Sequence, residues 1–132
     1  MFKLLKIENA RMNVPEPEFL DAKAGEEIAI GEALVLSGGV LTKCGATTRP
    51  AYIAMGVKPA GDVNRALPVC RVESNQVWEA PISAAPGELK VGDKITIAAD
   101  ALQVTATTAS GVASIVSLNG AAAEGDAVIV RF

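Results

Sequence analysis

From residue 25 onward, apolar positions alternate with polar ones in short runs, and Gly, Pro, Asp or Ser interrupts them every eight to twelve residues or so. Alternation with a period of two over four to eight residues is the pattern of a strand with one buried face. It predicts strands over residues 27–30, 33–36, 40–43, 52–57, 66–72, 76–80, 94–98, 101–105, 113–118 and 127–132. No stretch of ten or more residues carries a helical period. Residues 22–24 and 121–124 favour helix by composition, yet each is too short to nucleate one without tertiary support. The expected fold class is all-β.

Residues 1–23 do not follow this pattern. The two X-Pro steps of Pro15-Glu16-Pro17-Glu18 hold the backbone extended and end any helix before them. The apolar residues Phe2, Leu4, Leu5, Ile7, Met12, Val14 and Phe19 fit neither period over any length, so they need a surface on which to lie. We read residues 1–23 as an extended N-terminal arm outside the core, with the β-domain over residues 24–132. The surface under the arm is either its own domain or another chain.

The β region repeats. Ile30-Gly31-Glu32-Ala33-Leu34-Val35-Leu36 lies over Val91-Gly92-Asp93-Lys94-Ile95-Thr96-Ile97 without gaps at an offset of 61, which also brings Leu41 onto Leu102 and Thr47 onto Thr108. After one deletion, Val69-Cys70-Arg71-Val72 lies over Ile129-Val130-Arg131-Phe132 at an offset of 60. The expected organisation is two copies of one β-unit, residues 25–72 and 86–132, joined by a linker over 73–85. In each copy a Gly-acid step predicts a turn: the glycine supplies a permissive φ, and the carboxylate satisfies backbone donors before the next strand. Two such units can pair and hide their edges, so a small β-barrel is expected, with sandwich packing as the alternative.

Composition and charge then limit the chemistry. With 12 basic and 15 acidic residues the net charge is −3, and no run of Lys or Arg stands out, which argues against a nucleic-acid partner. The chain has no histidine, which removes Ser-His-Asp and Cys-His catalysis, His-ligated metals and the ordinary proton switch near neutral pH. Cys44 and Cys70 cannot by themselves complete a four-ligand zinc site, and both are expected as free thiols. Cys70, inside an apolar strand, is expected buried, and Cys44, beside Gly45, more exposed. The acids fall at turns, without the alternation of a calcium loop, and no glycine motif for cradling phosphate occurs. Trp78, the single tryptophan, is expected to plug one end of the barrel. The first residues are charged every few positions, unlike a signal peptide or a spanning helix, so synthesis in the cytosol and no membrane partner are expected. No catalytic residue, metal, cofactor or enzymatic activity is expected.

Two stretches resemble known families. Ala54-Met55-Gly56-Val57-Lys58 partly resembles the Ala-Met-Lys-Met hairpin of biotinyl and lipoyl carrier domains, which implies a small-molecule-binding or carrier barrel with Lys58 as the attachment site. The C-terminal copy is similar over more of its length to another group. Leu89-Lys90-Val91-Gly92-Asp93-Lys94, Thr105-Ala106-Thr107-Thr108, and Ala123-Glu124-Gly125-Asp126 leading into Ala127-Val128-Ile129-Val130-Arg131-Phe132 resemble the small β-proteins of tailed-phage head operons, the capsid decoration or cement proteins. That resemblance implies a virion structural protein, made in the host cytoplasm and placed on the capsid surface. It implies binding to the major capsid protein lattice, stabilisation of the head, and a homo-oligomer such as a trimer. Phe2, Leu4, Leu5, Ile7, Met12, Val14 and Phe19 then become the candidate capsid or self interface.

Overall fold

The alternating segments form strands, and so do two parts of the N-terminal segment. In the computed structural model, which describes residues 1–11, 14–63 and 66–132, they are β1 (Lys3–Ile7), β2 (Glu18–Asp21), β3 (Ala33–Ser37), β4 (Val40–Lys43), β5 (Tyr52–Ala54), β6 (Ala66–Arg71), β7 (Gln76–Pro81), β8 (Lys94–Ile95), β9 (Ala113–Ser117) and β10 (Ala127–Arg131). The described residues contain no helix. Two five-stranded antiparallel sheets result: sheet I in the order β1-β7-β10-β9-β8, and sheet II in the order β2-β6-β5-β3-β4.

Neither sheet closes into a barrel. A single parallel bridge from Ala22 to Leu41 brings the end of β2 against β4, and one from Ile82 to Val104 follows β7, but no ladder extends from either. The expected barrel gives way to a sandwich-like arrangement for a definite reason. The two halves of the chain do not pair edge to edge; each pairs its strands within itself, and the N-terminal segment adds one outer strand to each sheet. The segment between the halves supplies β7, which lies inside sheet I between β1 and β10.

Two ladders of sheet II, β3–β5 and β5–β6, share their register with two of sheet I, β8–β9 and β9–β10. Sheet II pairs Ala33 with Ile53, Leu34 with Tyr52 and Ala54 with Val69. Sheet I pairs Lys94 with Ser114, Ile95 with Ala113 and Ile115 with Val130. Every partner is displaced by 61, so Val69 corresponds to Val130, not to Ile129 as the gapped sequence match has it. The difference matters, because a slip of one residue moves a side chain to the opposite face of its sheet. The turns correspond too. The Gly31 amide donates to Ala54 O at 2.8 Å and the Gly92 amide to Ile115 O at 2.9 Å. Glu32 accepts the Ala29 amide at 2.9 Å, and Asp93 accepts the Lys90 amide at 2.8 Å.

Two apolar layers hold the sheets. One lies between them, with Trp78, Ala80, Ile115, Val128 and Val130 of sheet I facing Ala33, Ile53 and Cys70 of sheet II. The other lies behind sheet II, where Leu34, Tyr52, Leu67 and Val69 pack on Ala22 and Ile28. The centre of sheet II is thus buried on both faces, as in β5, where every residue is buried. In sheet I the row Lys94, Ser114, Arg131 occupies the ladder positions of Ala33, Ile53, Cys70, and its members are half-buried or exposed.

Candidate functional site

The structure separates the apolar residues of the N-terminal segment. Phe2 is 3% exposed and belongs to the core between the sheets, its ring edge-on to Phe132. Leu4 is half-buried opposite Trp78, and Ile7 is half-buried opposite Gln76. Leu5 is exposed, and Val14 and Phe19 stand out at 73% and 66%. Met12 lies outside the described residues. Pairing of β1 with β7 seats Phe2 between the sheets, and its amide donates to Gly31 O at 2.9 Å. The N-terminal segment thus contributes Phe2 to the core between the sheets and β1 to sheet I.

Beside β1, at the edge of the space between the sheets, a cleft of about 330 Å³ remains open. Phe2, Leu4 and Pro15 line it from the N-terminal segment, Trp78 from β7, and Ile30 and Met55 from the loops of sheet II. Ile30 and Met55 are themselves exposed. Met55 donates its amide to Pro68 O at 2.9 Å, and Pro68 is the ladder partner of Phe19. Apolar surface thus continues from the cleft across the edge of sheet II to Phe19. Ile30 and Met55 escaped the sequence reading, although each directly precedes a glycine, Gly31 and Gly56, where an apolar residue leads into a turn. Trp78 does not plug an end of the fold but stands in an interior strand, with its indole nitrogen buried and without a hydrogen-bond partner.

A second cleft of about 260 Å³ is lined by Glu27, Glu32, Lys43 and Asp100. Burial pushes the Glu32 carboxyl up from its ordinary value, with the Ala29 amide and Lys43, 3.6 Å away, pulling the other way. Burial also works against ionised Asp100, but bonds from the Gln103 side chain and the Leu102 amide outweigh it and hold this carboxyl low. Among the described residues, no group of three Cys, Asp or Glu could hold a metal ion.

Nucleophile and attachment chemistry find poor settings. Both cysteines are free and buried. Cys44, expected to be exposed, points its thiol at Thr48 O, 3.0 Å away, and burial pushes its pKa up to about 11. A thiol so shielded is mostly protonated and a poor nucleophile. Lys58 is fully buried, and its ammonium donates to Glu26 O at 2.8 Å. A carrier lysine has to stand free at a hairpin tip, so Lys58 as an attachment site is corrected as well.

No family model matches the chain, and no curated protein matches it. Its fold matches the crystal structure of head fiber gp8.5 N base in bacteriophage phi29, with a TM-score of 0.60 and 20% identity, over 89% of this chain and 94% of that one. At such identity the likeness is one of fold.

Proposed function

We propose that this chain is a structural protein of a phage head, which binds the major capsid protein lattice as a decoration or cement protein and stabilises the shell. The carrying observation is the likeness in fold to a head fiber base over nearly the whole length of both chains. It agrees with the motifs of the C-terminal copy, which point to head-operon proteins on independent grounds. The apolar surface from Ile30 and Met55 to Phe19 supplies the contact in this reading, since exposed apolar patches mark interaction sites and many weak contacts on a repeating lattice add up. The role asks for shape and contact area, with no catalytic group, cofactor, nucleic acid or membrane.

We also read residues 25–72 and 86–132 as two copies of one unit. The shared ladder registers and the two matching Gly-acid turns support this.

Cosedimentation with phage heads tests the capsid reading. Native protein is expected to pellet with the heads, and a Phe19→Ser, Met55→Ser variant to remain largely in the supernatant. A variant that binds undiminished shows that another face makes the contact. Absence of binding by the native protein removes the reading.

A further inference from the structure

We propose that β1 is exchanged between copies of this chain. Residues Lys3–Ile7 of one copy add to β7 of another, completing the partner's sheet I and lining the partner's cleft with the donor's Phe2 and Leu4.

Four observations carry this. First, β1 is a terminal edge strand, whose single ladder is to β7. Second, the groups that hold it lie far along the chain. Phe2 bonds Gly31, Lys3 pairs with Glu79 at 3.9 Å, Glu8 bonds Asn75 and pairs with Arg131 at 2.7 Å, and Phe2 meets Phe132. A second copy offers each of these in the same geometry, so exchange conserves them. Third, β1 joins β2 through residues 8–17, which fully extended span roughly 33 Å. Pro15 and Pro17 stiffen the far end of that connection toward the extended form.

Fourth, the chain turns immediately after β1 through Asn9 at φ +63°, a left-handed conformation that asparagine adopts more readily than other side chains do. The turn is closed by a long bond, from the Ala10 amide to Ile7 O at 3.4 Å. Straightening that turn lets β1 reach a second copy. Contacts conserved across an exchanged element, with a connection long enough to open, are conditions for swapping. The cleft then has walls from two copies. The exchange requires only a second copy and stands apart from the capsid reading.

Lys3 and Glu79 are direct ladder partners with accessible side chains, and both native thiols are buried. The Lys3→Cys, Glu79→Cys variant, oxidised at high protein concentration, should run as covalent dimers or larger species on a denaturing, non-reducing gel, and peptide mapping should find position 3 linked to position 79. In parallel, the Lys3→Cys and Glu79→Cys single variants, refolded together and oxidised, should give a linked heterodimer. This mixture keeps the test open if the double variant folds poorly. A double variant that closes only within one chain, or a mixture without the heterodimer, overturns the exchange. A failure of positions 3 and 79 to link in either form overturns it too, because β1 is then not seated on β7.

Discussion

The rings of Phe2 and Phe132 meet at a centroid separation of 5.4 Å with their planes 63° apart, so the segment leading into β1 and the residue following β10 share one core. Edge-to-face packing of this sort adds to the burial of both rings. Phe2→Ala should therefore destabilise the fold by about 3–5 kcal/mol, as removal of a buried phenylalanine does. Phe19→Ala, at a position open to solvent, should stay within about 0.5 kcal/mol. Urea denaturation checks both. Similar small effects would mean that Phe2 is not seated between the sheets.

The Gly31 and Gly92 turns correspond, yet only one lies under the N-terminal segment. Each glycine has a positive φ, at +74° and +95°, so alanine at either should cost roughly 1–2 kcal/mol in backbone strain. A Cβ on Gly31 would in addition lie 2.8 Å from Phe2 O and 2.6 Å from Met1 Cβ, whereas one on Gly92 meets nothing within 4 Å. Gly31→Ala should be clearly the more damaging of the two in chemical denaturation. Equal losses would place the N-terminal segment elsewhere.

Stability should depend on pH through Glu32 in the sense opposite to most carboxylates. Its folded-state pKa is raised by burial, so the ionised form costs stability above that value, and the cost is relieved as the pH falls toward the ordinary carboxylate range. Asp100 and Asp126 are held low. They contribute stability above the ordinary range, and it is lost as the pH falls through their lowered values. Glu32→Gln can still accept the Ala29 amide but no longer ionises. Its melting temperature relative to the native protein should be highest near neutral pH and should decline as the pH approaches about 4. A difference that does not vary with pH would mean that Glu32 titrates normally.

Thiol reactivity should be almost absent until the fold opens. Iodoacetamide at about pH 8 should leave Cys44 unmodified in the native protein, because its pKa is pushed to about 11 and its side chain is covered. Under denaturing, non-reducing conditions the intact mass should show two adducts, in keeping with two free cysteines. No adduct under those conditions would reveal a disulfide.

Most of β3 to β10 is legible in the sequence because alternation there is regular and glycine or an acid marks the turns. β1 and β2 are not. In β1 the register shifts between Leu4 and Lys6, so apolar residues fall out of step with a period of two. Two apparent strands, 27–30 and 101–105, turn out to be connecting segments that each contribute isolated bridges, at Ile28 and Val104. Ile28, Ala101 and Val104 are buried, which alternation reports, but the segments find no neighbour to form a ladder, which alternation cannot report. The cleft is assembled from positions as far apart as Phe2 and Trp78, and local pattern carries no information about such a meeting. Gly111 shows the same limit: a Cβ there would run into the backbone of Lys94, an approach invisible in the run of residues around it.

The ladder positions that hold Ala33, Ile53 and Cys70 in sheet II hold Lys94, Ser114 and Arg131 in sheet I. Where the first row meets the neighbouring sheet, the second is polar and faces outward, with Arg131 paired to Glu8 at 2.7 Å. A pile of such layers grows for as long as each new layer presents an apolar row, and here it stops at two, much as polar terminal units end a solenoid.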